Sequence, residues 1–243
     1  MQEAVEGIVV SEKDYGETSK ILELVTKEHG LISVISKGCK TMKSPLRSVS
    51  AKLIYGVFHV YYKEGKLSIL KTVDVLDNFK NIRLDLKKIT CASMLLELTT
   101  QVIKQNNNKN IYDIFIAGLK KIDEDYDPIV ITDIVSLKYL EYLGVMPVID
   151  RCSKCGSSKA VSLSVTLGGY VCSNCLTNEP KSSEKALKLI RMLYYVDISK
   201  ISKLNISNDV KEEIHSFIEN YYEMYTGIYF KTKKMMKVSE MYE

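Results

Sequence analysis

A chain of 243 residues that is 46% hydrophobic and 26% charged has the balance of an ordinary globular protein with a real core to bury. No run approaches the roughly 18 apolar residues of a membrane span, and the opening MQEAVEGIVV has no basic n-region, so a soluble, cytoplasmic protein is expected. A formal net charge of +4 is too small to name a partner, which leaves the distribution of charge to carry the information.

From Glu3 to Asp77 the chain reads as five strand-length apolar runs, EAVEGIVVS, KILELVT, LISVIS, LIYGVFHVYY and LSILKTV, parted by turns such as KEHG and KEGK. Five short strands fit a small barrel. In the fourth run, alternation puts Ile54, Phe58 and Val60 on one face and Tyr55, Val57, His59 and Tyr61 on the other. Both faces carry bulk, as in a barrel wall covered on its outside. The long gap between the third and fourth runs, KGCKTMKSPLRSVSAK, has no periodicity and holds Pro45 among basic side chains.

After Asn78 the period changes. Apolar positions at Ile82, Leu86, Ile89, Leu96 and Ile103, with a second set at Leu95, Leu98 and Val102, predict one long, largely buried helix. Asn106, Asn107 and Asn108 end it. IYDIFIAGLKKI is a second helix, and a third runs from about Ile129 to Leu143, closed by Gly144 and Pro147. Beyond a cysteine-rich stretch, SSEKALKLIRMLYYV has serines suited to capping. The last helix carries Val210, Ile214, Phe217, Tyr221, Tyr225 and Ile228 on one stripe. The fold class is therefore α+β, with a barrel over residues 1–79 and a helical domain over 80–243 that holds a cysteine module at about 150–178.

That module pairs Cys152-x-x-Cys155 with Cys172-x-x-Cys175 at a spacing used by zinc ribbons. Zinc takes four tetrahedral ligands, and each Cys-x-x-Cys turn supplies two thiolates. Four cysteines leave no open position for substrate or activated water, so the expected zinc is structural. A redox pair or two local disulfides remain as alternatives. Arg151, Lys154, Lys159 and Tyr170 are thin equipment for reading nucleic acid, although a protein contact there stays open.

Between Glu28 and Glu64 there is no acidic residue, yet Lys37, Lys40, Lys43, Arg47, Lys52 and Lys63 fall there. A flexible loop of spaced cations between two strands can follow a phosphate backbone, with Tyr55, His59, Tyr61 and Tyr62 as stacking faces. The plainer reading is a solvated basic loop beside core aromatics. Lys231, Lys233, Lys234 and Lys237 form a second basic cluster that either extends this surface or belongs to a frayed tail.

Other signals are weaker. Asp123, Glu124, Asp125 and Asp127 read as a solvated loop, since a calcium loop's glycine and distal glutamate are missing. His29, His59 and His215 read as structural, Cys91 as core, and Cys39 as a thiol that nearby cations would make reactive. There is no phosphate-binding glycine loop and no catalytic constellation, so no enzyme is expected. A nucleic-acid protein of either kind, DNA or RNA, leads the binding classes. Its rival is a zinc-stabilised scaffold whose basic loop grips an acidic protein.

The stretch EGIVVSEKDYGETSKILELVTKEHGLISVISKGCK resembles the N-terminal signature of the bacterial RecO recombination-repair family. The features are Gly7-Ile8-Val9, Asp14-Tyr15 with Glu17, Lys20-Ile21-Leu22, Thr26 leading to Gly30, and Lys37-Gly38. The resemblance covers the whole length and implies an OB-fold barrel ahead of a helical domain with a four-cysteine zinc module. It further implies a nucleoid-associated mediator that binds single- and double-stranded DNA, anneals strands, and works with RecR and the SSB C-terminal tail, acting on RecA indirectly. On it, Lys37 and Gly38 match the entry to the family's basic loop, Arg47 its continuation, and Cys152, Cys155, Cys172 and Cys175 the zinc ligands. The family often has arginines where this chain has Cys39, Lys40 and Thr41.

Overall fold

The long first strand, β1 (Gln2–Tyr15), serves two partners. Its first half pairs antiparallel with β4 (Tyr55–Tyr61), Gln2 opposite Tyr61 and Ile8 opposite Tyr55. Its second half pairs with β2 (Ser19–Thr26), Tyr15 opposite Ser19. A register shift between Val9 and Ser11 marks the bulge where the strand bends from one partner to the other. β2 pairs with β3 (Gly30–Ser36), β3 runs parallel to β5 (Ser68–Asp77), and β5 returns beside β4, which closes a barrel in the order β1-β2-β3-β5-β4. The structure is a computed structural model that describes residues 2–177 and 179–228, so the lysine cluster at Lys231–Lys237 lies outside the described residues.

Side-chain alternation divides the barrel wall as the sequence predicts. Val5, Val9, Leu22, Leu24, Val34, Phe58, Val60 and Leu70 fill the interior. Ile8, Val10, Val25, Leu53 and Tyr55 point outward and join Phe79, Leu95, Ile111 and Phe115 in the helical core. The outer wall at Ile8, Val25 and Tyr55 therefore shares one apolar core with the helices, separate from the barrel's own interior.

The single long helix expected after Asn78 is two: α1 (Lys80–Arg83) and α2 (Leu86–Gln105). Asp85 separates them, because its carboxylate accepts from Lys88 N and caps α2. An aspartate at an N-cap satisfies an orphan amide that it could not reach from a helix interior. Leu86, placed on the buried stripe by periodicity, is consequently exposed, as is Leu84. Asn108 caps α3 (Lys109–Asp123), and Asp127 caps α4 (Pro128–Tyr142) with Pro128 in the first turn. α4 is buried nearly all round, through Ile131, Ile134, Val135, Leu137, Tyr139 and Leu140, and forms the centre of the domain. After the short hairpin β6 (Ser162–Ser164) and β7 (Gly169–Val171) come α5 (Glu184–Tyr195), capped by Ser183, and α6 (Asn208–Tyr225). Among the described residues, no helix is long and apolar enough to cross a membrane.

The acidic stretch is solvated only in part: Glu124 and Asp125 are exposed, yet its carboxylates have fixed partners. Asp123 accepts from Ile82 N at 2.9 Å, Asp125 pairs with Lys88, and Asp127 caps α4 while binding Lys211 of α6 at 2.8 Å. These partners come from three other elements and staple the helices together. Burial works against the Asp127 charge, yet Lys211 and the amides of Val130 and Ile129 prevail and hold its carboxyl below the usual range. A depressed carboxylate contributes stability above its unfolded pKa and loses it as pH falls through the folded value. Asp127→Ala is expected to cost about 2 kcal/mol, combining a lost cap with a broken hydrogen-bonded ion pair. Asp127→Asn should cost about half as much, and urea titrations at pH 7 check both. The difference between wild type and Asp127→Asn should shrink as pH falls through the lowered pKa of the folded carboxyl, where the group takes up its proton.

The three histidines are each tied to a carboxylate: His29 to Glu3 at 3.1 Å, His59 to Asp74 at 2.8 Å and His215 to Asp133 at 2.8 Å. Cys91 is in the core, where burial pushes its thiol up to about 12. Cys39, expected to be a reactive thiol, is instead buried at 2% exposure beneath the basic loop.

Candidate metal centre and basic surface

Val148 delivers the chain from the helical core to the cysteine module through an isolated parallel bridge to Gly169. The first knuckle turns tightly, Gly156 N donating to Cys152 O and Cys152 N to Ser157 O. The second repeats the geometry, with Cys175 N and Leu176 N both donating to Cys172 O. Together the turns bring the Sγ atoms of Cys152, Cys155, Cys172 and Cys175 within 4.8 Å of one another. A tetrahedral zinc site with Zn–S near 2.3 Å has sulfur–sulfur edges of about 3.8 Å, so the cluster is already of metal-binding size. Its own apolar support is slight: Val171 is buried, and Leu167 and Leu176 are partly buried.

The thiol chemistry also fits a cation. Hydrogen bonds from the Cys172 and Cys155 amides pull the Cys152 thiol down to about 6. The Cys155 sulfur beside it, together with burial, pushes Cys175 up to about 12. Four thiolates this close repel one another, and a divalent ion among them relieves that repulsion. The four cysteines could hold a metal ion, and no fifth donor is needed.

The basic run is built differently from a flexible tether. Successive turns link Thr41 N to Gly38 O, Ser44 N to Thr41 O and Arg47 N to Ser44 O. Leu46, Val49 and Ala51 pack on the barrel core, and the Ser50 and Ser36 hydroxyls bond at 2.8 Å in the interior. The segment is a folded cap whose cations point outward. Lys37, Lys40, Lys43, Arg47 and Lys52 are all exposed on it, while Lys63 is exposed in a separate turn between β4 and β5. Lys40 is partly spent on Asp14 at 2.8 Å, and its hydrogen bond and charge hold that carboxyl below the usual range.

Of the four rings expected to offer stacking faces, only Tyr61 lies open. Tyr55 is on the covered wall, its hydroxyl donating to Glu6 Oε1 at 2.7 Å and its ring stacked near Phe79. Tyr62 is stacked on His29 at 4.3 Å, and His59 is bonded to Asp74. Tyr61 stands opposite Ile69, which neighbours Ile35, two residues before Lys37. Lys71 Nζ lies 4.6 Å above the Tyr61 ring. Sequence reasoning misses Lys71 because it follows Glu64 and so falls outside the acid-free run. Its signal is the period of β5, in which Ser68 and Leu70 turn inward and Lys71 outward.

A five-stranded OB-like barrel with a cationic cap, packed by its outer wall on a helical domain that carries a four-cysteine cluster, defines a class of two-part α+β proteins. The particular family follows from comparison with known proteins. The family model described as Recombination protein O N terminal matches residues 1–79, and Recombination protein O C terminal matches residues 83–234. DNA repair protein RecO of Bacillus subtilis (strain 168) is 33% identical over 240 residues, covering 97% of this chain and 94% of that protein. The protein of that name from Bacillus cytotoxicus is 31% identical over 248 residues, spanning 100% of both chains. The chain belongs to the RecO family.

Proposed function

We propose that the protein is a DNA-binding recombination mediator acting in DNA repair in the cytoplasm, at the nucleoid. It binds single- and double-stranded DNA, anneals complementary strands and, with RecR, helps load RecA on DNA coated by SSB, whose C-terminal tail it also engages. Residues 1–79 form the DNA-binding unit, and residues 80–243 form the helical unit held by a structural zinc on Cys152, Cys155, Cys172 and Cys175. The observation that carries the DNA reading is the folded cap, which turns Lys37, Lys43, Arg47 and Lys52 outward with no acid inside the segment. Each cation that meets a phosphate releases a condensed counterion and adds to the affinity. Tyr61, exposed with Lys71 over its ring, adds an aromatic group and a further cation to that surface.

Replacing Lys37, Lys40, Lys43, Arg47 and Lys52 with alanine is expected to weaken binding to single-stranded DNA. The slope of log K against log salt should flatten by about 0.7 for each phosphate that is no longer neutralised. Lys40 should contribute least, because Asp14 already holds it. An unchanged slope would show that DNA is bound elsewhere. Equal affinity for a matched RNA strand would move the assignment to a general single-strand binder, and annealing of SSB-coated strands tests the mediator role directly.

A further inference from the structure

Two buried apolar residues hold backbone conformations that their side chains disfavour. Leu53 has φ 64 and Phe79 has φ 49, and both are packed into the shared core. With φ of this sign the Cβ crowds the backbone, so a bulky residue stays there only when its surroundings insist. The carbonyls just before these residues belong to Lys52 and Asn78, and Arg83 bonds both. Its Nη2 donates to Lys52 O and its Nε to Asn78 O at 2.7 Å. On the far side, Leu53 N donates to Val9 O and Val9 N to Ile54 O, fastening the same segment to β1 at its bulge. Asp77 Oδ1 accepts from Phe79 N at 2.8 Å, so the second strained turn is fastened as well.

We infer that Arg83 is a positioning residue for DNA binding, which clamps the exit of the basic cap to the joint between barrel and helices. Lys52 is the last cation of the cap, and its carbonyl is the group that Arg83 grips. A cap fixed at this end presents its cations without first losing freedom on meeting a phosphate backbone, which lowers the ordering cost of binding. The planar fork of arginine reaches two carbonyls at once, whereas a lysine ammonium is a point charge on a flexible stem. This inference rests on the cap being the DNA surface.

The test uses Arg83→Lys and Arg83→Ala in the full chain, with single-stranded DNA affinity measured across salt and hydrogen exchange followed at the Leu53 and Ile54 amides. Arg83 is exposed, so neither change empties the core. Both variants are expected to bind about fivefold more weakly, the order of a single preorganising clamp, and to exchange faster at Leu53. In a chain whose five cap cations are alanine, Arg83→Lys should cause no further loss. Wild-type affinity in Arg83→Lys would mean that the residue acts only as a charge and would overturn the proposal. The same loss in the cap-neutralised chain would overturn it too, by placing the effect elsewhere. The DNA reading fails separately, when cap neutralisation itself leaves the salt slope unchanged.

Discussion

Removing the metal with a strong chelator, or replacing Cys172 with serine, is expected to unfold the stretch from Cys152 to Cys175 while the barrel stays folded. Ordering each residue costs roughly 1–2 kcal/mol of backbone entropy. Around the sulfurs themselves apolar burial is slight, with Val171 inside and Leu167 and Leu176 only partly covered, and the module's main anchor in the helical core is Tyr170. One fully buried aliphatic side chain offers about 1.5–3 kcal/mol, far short of what so many ordered residues need. A structural zinc on these four sulfurs would add on the order of 10 kcal/mol that is available only when the two knuckles are brought together. Hydrogen exchange should therefore show protection lost at the amides of Cys152, Gly156, Cys175 and Leu176, whose partners are carbonyls within the two knuckles. The Val9 and Leu53 amides, which bond inside the barrel, should stay protected. Melting of the helical domain should move to lower temperature and DNA affinity should hold. Loss of DNA binding with protection intact would make the cluster a reader instead of a support.

Features set by near neighbours in the chain are mostly legible in its sequence, the cap at Asp85 being an exception, and features set by distant partners are not. The four-cysteine cluster needs only two tight turns and a spacing, so Cys152, Cys155, Cys172 and Cys175 announce themselves. The strands are legible because one face of each is apolar, but the outer side of β4 is covered only at Tyr55, with Val57 and His59 half-buried and Tyr61 exposed. The break at Asp85 stays hidden because counting apolar positions is blind to a carboxylate that prefers a cap. Asp125 and Asp127 look solvated because Lys88 and Lys211, which bind them, are remote in the chain. The composition of the basic cap is plain, but its folding depends on Leu46, Val49, Ser50 and Ala51, small anchors scattered among polar residues with no period to betray them. Arg83 has no signal at all, since both of its partners are backbone carbonyls.

Gly169→Ala is expected to be among the most damaging single substitutions in the chain. Gly169 has φ +141, and a Cβ built on it would lie 2.2 Å from Val148 O and 2.7 Å from Val148 N. Both clashes are with backbone, which cannot rotate aside as a side chain would. Val148 N donates to Gly168 O and Tyr170 N to Val148 O, so the methyl group would enter the bridge that docks the hairpin on the helices. Tyr170 follows directly, buried in the helical core with its hydroxyl donating to Leu187 O of α5. Strain at such a position, with the docking bonds broken, costs on the order of 3 kcal/mol, and urea unfolding measures it. The same bridge fixes where the chain enters Cys152, so metal affinity should fall with stability even though no ligand is changed. Gly169→Ala and Cys172→Ser disable one module and should combine to less than the sum of their separate costs. Full additivity, or a change below about 0.5 kcal/mol for the glycine alone, would show that the bridge does not dock the module and that the metal holds the knuckles without help from the helices.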